Sequence, residues 1–166
     1  AVNIYIWRQA TRVLTMTSTT PKRILGIHGP YLNLLGTRDP MLYGKQTLDE
    51  INARLARVGQ ELGFDVACKQ SNVEGDIVEL VHSARGAFAG IVINPAGYSH
   101  TSVVIRDALL AVGIPAVEVH LSNLYAREEF RRVSLTGAVT RGVVSGFKSG
   151  SYEWGLRALV EIIEGK

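Results

Sequence analysis

The chain has 166 residues, 46% hydrophobic and 20% charged, with 17 glycines and one cysteine: material for a single soluble domain with a sizeable core, no membrane span and no internal disulfide, as suits a reducing, cytoplasmic setting. Its charge is uneven: Arg8, Arg12, Lys22 and Arg23 fall in residues 1–23, which hold no acid, so of 18 basic and 15 acidic residues overall, 14 and 15 remain in residues 24–166, a net −1. A domain that is not itself basic argues against nucleic acid as a partner.

Residues 1–23 form an N-terminal extension. Thr11, Thr15, Thr17, Ser18, Thr19 and Thr20, among basic residues and no acids, match the composition of an organelle transit peptide. Met16 offers the simpler reading, a translation start preceded by upstream sequence, and that is the one favoured here.

The domain proper, residues 24–166, opens on a strand from Arg23 to His28 whose apolar part is Ile24, Leu25 and Ile27. The connection from Gly29 to Gly44 is too long for an ordinary strand-to-helix loop, and such loops are usually functional; its prolines and glycines mark hinges, and Arg38 and Tyr43 lie between them. Thr47 and Glu50 read as a capping box, after which Leu48, Ile51, Leu55, Val58 and Leu62 line one helical face until Gly63. Phe64 to Gln70 is a second strand. Ser71 and Glu74 read as another capping box before a helix carrying Ile77, Leu80, Val81 and Ala84, closed by Gly86.

Gly90 to Ile93 is a short β-branched run, a strand buried on both faces, and it stops on Asn94-Pro95. Gly97 loosens the backbone, Ser99 to Ser102 stand where a helix should begin, and apolar residues recur at helical spacing from Ile105 to Val112. Ile114 to Leu121 gives a fourth strand with Glu118 and His120 near its carboxyl end. Ser122-Asn123 starts a short helical piece bearing Arg127, Glu128, Glu129, Phe130 and Arg131. Gly142 to Gly146 is a fifth strand, and Ser151 caps a last helix through Leu156, Leu159, Val160 and Ile163.

Strand and helix alternate five times, which predicts an α/β doubly wound parallel sheet of the flavodoxin-like kind, a single domain with strand order 2-1-3-4-5. Ligands in such sheets sit beyond the carboxyl ends of the strands. Asn94, Ser99, His100 and Thr101 are therefore expected at one site with the loops that follow the first and fourth strands.

Neither Gly-x-Gly-x-x-Gly nor Gly-x-x-x-x-Gly-Lys-[Ser/Thr] is present, and His28, His82, His100 and His120 are not at metal-ligand spacings, so no metal and no cofactor are expected. What remains is a set able to move protons: Arg38, Tyr43, Asn94, His100, Glu118, His120 and Arg131. A tyrosine titrates near ~10 and serves as a base at neutral pH only when a cation stabilises its phenolate, each unit of depression needing about 1.4 kcal/mol. Arg38 is the candidate cation. His120 is the candidate acid, with Glu118, on the same side of the strand, setting its orientation. Singly, each has a plainer reading: Tyr43 a packing tyrosine, Arg38 a surface charge, His120 a structural histidine. Cys68 and His82 are read as structural, Asp107 as a solvated or capping charge, and His28 as a pocket-lining residue without chemistry.

Together the motifs are specific. Gly29-Pro30, Leu32 to Pro40 and Tyr43-Gly44, then Gln70-Ser71-Asn72, Ile93-Asn94-Pro95, His100-Thr101-Ser102, Ile105 to Leu109, Glu118 to Asn123 and Ala126 to Arg131 resemble the type II 3-dehydroquinate dehydratases from about Ile24 to Ile162. The resemblance implies a flavodoxin-like hydro-lyase that removes water from 3-dehydroquinate through an enolate, by anti elimination, in the shikimate pathway or in quinate breakdown. It implies Tyr43 as base, Arg38 as its cation, His120 as acid and Glu118 as its support. Asn94, His100 and Arg131, with the backbone at Leu121 and Ser122, would hold the substrate, and Asp107 would reach into a neighbouring subunit's site. Trimers assembled into a dodecamer are the implied homo-oligomer.

The departure is Tyr31, where most members carry an asparagine whose amide holds a water near the enolate. Either the Tyr31 hydroxyl or a shifted Asn33 would have to replace it, since an oxyanion donor is worth on the order of a hundredfold in rate. A catalytically weak paralogue that binds a quinate-like ligand is the alternative that this substitution leaves open.

Overall fold

The computed structural model describes residues 22–37 and 39–166. The reading of residues 1–21 as leader or upstream sequence lies outside the described residues, as does the placement of Arg38. Strands β1 (Arg23–His28), β2 (Asp65–Gln70), β3 (Gly90–Asn94), β4 (Ala116–His120) and β5 (Gly142–Ser145) form one parallel sheet in the order β2-β1-β3-β4-β5, the expected topology. Every residue of β3 and β4 is buried, as their short apolar runs imply. The register sets His28 opposite Asn94 and Ile93 opposite Glu118, so the carboxyl ends of β1, β3 and β4 lie side by side.

The helices are α1 (Pro40–Tyr43), α2 (Leu48–Glu61), α3 (Glu74–Ser83), α4 (Val103–Val112) and α5 (Gly150–Glu164). Strand alternation divides the core. Ile24, Val92, Val117 and Val119 meet α2 and α5, whereas Leu25, Ile27, Ile91 and Ile93 meet α3 and α4. Each such side chain contributes about 1.5–3 kcal/mol when fully buried. A Cβ at Gly155 would stand 2.4 Å from Val119 Cγ1, so the missing side chain is what lets α5 lie directly on β4. Tyr152, one turn earlier, is buried in the same cluster.

The Thr47 capping box forms as expected: Thr47 Oγ1 accepts from the Glu50 amide at 3.3 Å and the Glu50 carboxylate accepts from the Thr47 amide at 2.8 Å. Two other expected caps do not. Ser71 Oγ accepts from the Val73 amide at 3.0 Å and donates to Asp76 at 2.8 Å, so it folds the approach to α3, and Val73 takes the cap position without a side-chain bond. Ser151 lies inside the first turn of α5, behind Ser149, and its hydroxyl accepts from the Phe147 amide at 3.1 Å, tying the helix to the turn before it. α4 starts two residues before Ile105 because Ser102 Oγ accepts from the Ile105 amide at 3.0 Å. The long Gly29–Gly44 connection holds a 3-10 turn at Leu32–Leu34 and the short α1, capped by Asp39, which accepts from the Met41 amide at 3.0 Å. No helix among the described residues is long and apolar enough to cross a membrane.

Candidate active site

A pocket of about 450 Å³ opens beyond the carboxyl ends of β1, β3 and β4. Its lining brings together Tyr31, Tyr43, Asn94, His100, His120, Leu121, Ser122 and Arg131 from among the expected residues, and adds Arg127. Two local features build the floor. Gly29 donates its amide to the Asn94 carbonyl at 2.8 Å, and a Cβ there would fall 2.7 Å from the Pro95 carbonyl carbon, so only glycine lets these two loops touch. After Pro95 the chain turns through a 3-10 segment, Ala96–His100, in which Ser99 donates to the Ala96 carbonyl at 2.8 Å and sets down His100. The His100 ring donates from Nδ1 to the Val133 carbonyl at 2.8 Å and stacks on His120 with centroids 6.5 Å apart.

His120 donates from Nε2 to Glu118 Oε1 at 2.7 Å, which leaves Nδ1 for a ligand. Glu118 lies behind it, fully buried. Burial alone would push this carboxyl up, but the bond and charge of His120, then the hydroxyls of Thr136 at 2.5 Å and Ser134 at 2.7 Å, outweigh it and hold the pKa below the usual carboxylate range. The result is an ionised carboxylate with both oxygens engaged, fixing the tautomer and angle of the ring in front of it.

Arg127 places a cation beside the Tyr43 hydroxyl. Its Nη1 donates to the Tyr43 hydroxyl at 3.5 Å and to Ser122 Oγ at 3.2 Å. Arg127 and Arg131 each donate from Nε to Glu128 Oε2, at 3.2 and 3.1 Å, so one exposed carboxylate spaces two guanidinium groups along the rim. A positive rim facing an acid and a hydroxyl suits an anionic small molecule on which a proton is to be moved at two points.

Other expected residues fall elsewhere. Asn33 is exposed and accepts from Gln70 Nε2 at 3.5 Å, off the pocket lining. Asp107 is exposed on the outer face of α4, paired with Arg106 at 2.9 Å, and does not enter the pocket of its own chain. Tyr31 lines the rim with its backbone in the left-handed region, φ 65°, and its amide donating to Asn72 Oδ1 at 2.9 Å. His28, expected to line the pocket, is instead completely buried beneath it, between the Tyr152 hydroxyl at 2.9 Å and Asn52 Oδ1 at 2.8 Å. Desolvation pushes its pKa down to about 4, against a smaller upward pull from Asn52, so the ring is neutral.

Reasoning from the sequence missed Arg127, Ser134, Thr136 and Tyr152 as parts of this site. Arg127 had a signal, standing four residues before Arg131 in the same short helical piece. The hydroxyls had none, because no periodicity marks the turn that returns them to Glu118. Among the described residues no group of three or more His, Cys, Asp or Glu is placed to hold a metal ion.

The same chain matches known proteins over almost all of this architecture. The family model described as Dehydroquinase class II covers residues 22–160. The 3-dehydroquinate dehydratase of Geotalea daltonii is 51% identical over 142 residues, 86% of this chain and 99% of the relative, and that of Gloeothece citriformis 54% identical over 140 residues, 84% and 92%. The crystal structure of the type II dehydroquinase from Propionibacterium acnes superposes with a TM-score of 0.80 at 41% identity, covering 86% of this chain and 99% of that one. With that agreement in sequence and fold across the pocket-bearing domain, the chain belongs to the class II dehydroquinase family.

Proposed function

We propose that the protein is a type II 3-dehydroquinate dehydratase, a hydro-lyase of the shikimate pathway that converts 3-dehydroquinate to 3-dehydroshikimate, with residues 24–166 as the catalytic unit. The observation that carries this reading is the convergence of the Tyr43 hydroxyl and a Glu118-backed His120 on one pocket with a basic rim. Tyr43, as phenolate, takes the proton next to the ketone, and the C–H electrons form an enolate. Arg38 and Arg127 stabilise the charge on the phenolate and then on the enolate. The enolate collapses to the conjugated double bond as the C–O bond breaks, and His120, its Nε2–H kept on Glu118, gives a proton carried on Nδ1 to the departing hydroxyl, which leaves as water. Asn94, His100, Leu121, Ser122 and Arg131 hold the substrate's hydroxyls and carboxylate.

A trimer-built dodecamer, with Asp107 serving a neighbouring site, is part of the same reading. Exposed Val103, Val104 and Leu110 share α4 with Asp107 and support a covering subunit there. The lone cysteine supports a reducing, cytoplasmic setting. The test is turnover of 3-dehydroquinate followed by the ultraviolet absorbance of the product's enone. Wild type turns over, and Tyr43→Phe loses at least about a hundredfold in kcat; a folded wild type that forms no product overturns the reading.

A further inference from the structure

Beneath the pocket runs a chain of polar side chains that no step of the reaction consumes. Asn94 Nδ2 donates to the Tyr152 hydroxyl at 3.1 Å, and Asn94 Oδ1 accepts from the Ala96 amide at 3.1 Å. The Tyr152 oxygen contacts His28 Nδ1 at 2.9 Å, and His28 Nε2 contacts Asn52 Oδ1 at 2.8 Å. Asn94, Tyr152 and His28 are each no more than 2% exposed.

Only one proton order satisfies them all. The Ala96 N–H requires the carbonyl oxygen of Asn94 on its side, so the amide nitrogen must face Tyr152. Tyr152 receives from Asn94 and its one proton needs an acceptor, so it goes to His28 Nδ1; the neutral ring then carries its own proton on Nε2, which Asn52 Oδ1 accepts. The Tyr152 hydroxyl therefore donates to His28 and receives from Asn94. Every bond points away from the pocket. Asn94 is left with one N–H and one oxygen lone pair for the pocket, the pair of groups that a hydroxyl satisfies at once.

We propose that Tyr152 is a positioning residue: the Tyr152–His28–Asn52 relay, polarised in one direction, locks the Asn94 carboxamide in the orientation that recognises a substrate hydroxyl. This rests on the reading that Asn94 contacts the substrate of the proposed dehydration. The hydroxyl of Tyr152 is the pivot, since an alcohol oxygen here must accept and donate simultaneously.

Steady-state kinetics on the full-length enzyme test it. Tyr152→Phe, which removes one atom from the core, raises KM for 3-dehydroquinate about tenfold and leaves kcat within about threefold, the loss expected for one misdirected hydrogen bond. In an Asn94→Ala background the same change has no further effect on KM. His28→Leu raises KM as Tyr152→Phe does, and His28→Gln, whose carbonyl accepts and whose amide donates in the same order, restores it. Nitrogen-15 NMR places the His28 proton on Nε2 with or without substrate. A fall in kcat at constant KM, a full Tyr152→Phe effect in the Asn94→Ala protein, or an Nδ1–H tautomer overturns the relay. A wild type that does not turn over 3-dehydroquinate overturns the dehydration reading instead, and the relay then stands with an Nε2–H tautomer and falls with the other.

Discussion

Thr136 donates its hydroxyl proton to Glu118 Oε2 at 2.5 Å, in the space behind the His120 ring. Thr136→Val leaves that oxygen buried without a donor and costs about 1–3 kcal/mol of stability. The sign with pH follows from the depressed folded pKa of Glu118. Its stabilisation is complete above the unfolded carboxylate pKa and is lost as pH falls through the folded one. Valine raises the folded value, so this stabilisation is smaller and is fully lost at a higher pH. Urea titrations across the acid range check this, and the acid limb of kcat moves the same way; Thr136→Ser behaves as wild type.

Arg127 touches both the Tyr43 hydroxyl and Ser122, which in the proposed reaction sets it against the charge that develops on the tyrosine and the substrate. Arg127→Met lowers kcat about a hundredfold and changes KM far less. A rise in KM with kcat preserved would instead make Arg127 a substrate anchor only.

Tyr31 holds a left-handed backbone conformation that costs a non-glycine residue about 1 kcal/mol or more and that asparagine adopts more cheaply. Tyr31→Asn stabilises the protein by about 1 kcal/mol in thermal unfolding. It also raises kcat/KM by about tenfold or more through the restored amide donor. Turnover that does not change shows that this position is not limiting.

His28 contributes a pH dependence of its own. Its folded pKa of about 4 lies below the ordinary 6.5, so the unfolded chain binds more protons between these values and stability falls as pH drops through the window. The slope approaches about 1.4 kcal/mol per pH unit, on the order of 3 kcal/mol in all. His28→Gln removes that component. In denaturant unfolding between about pH 7 and pH 4.5, the wild type loses on the order of 3 kcal/mol more than His28→Gln does.

The sheet was legible because its strands advertise themselves: Ile91 to Ile93 is a β-branched run fenced by Gly90 and Pro95, and strand alternation alone put Glu118 and His120 on one side. The capping box at Thr47 was legible for the same reason, as a local pattern with a local partner. Ser71 and Glu74 carry the same pattern, but Asp76 and the Val73 amide compete for the serine hydroxyl and win it. Ser134 and Thr136 return to Glu118 across sixteen and eighteen residues, and Tyr152 meets His28 across 124. Contacts of that span leave no trace in spacing. Tyr152 in particular sits in a helix whose apolar face accounts for it fully, which hides the use made of its hydroxyl.

That dual membership has a consequence for anyone reshaping this protein. The ring of Tyr152 fills the core under α5 while its oxygen reaches Asn94, so thermal robustness and ligand choice share a single side chain. Libraries that seek a hardier enzyme by varying the interior will meet position 152 as an apparent packing site, and variants selected there on melting temperature alone will have drifted in what they recognise. Holding 28, 52 and 152 constant separates the two properties and leaves the opposite face of the sheet, beneath α3 and α4, as the interior open to redesign.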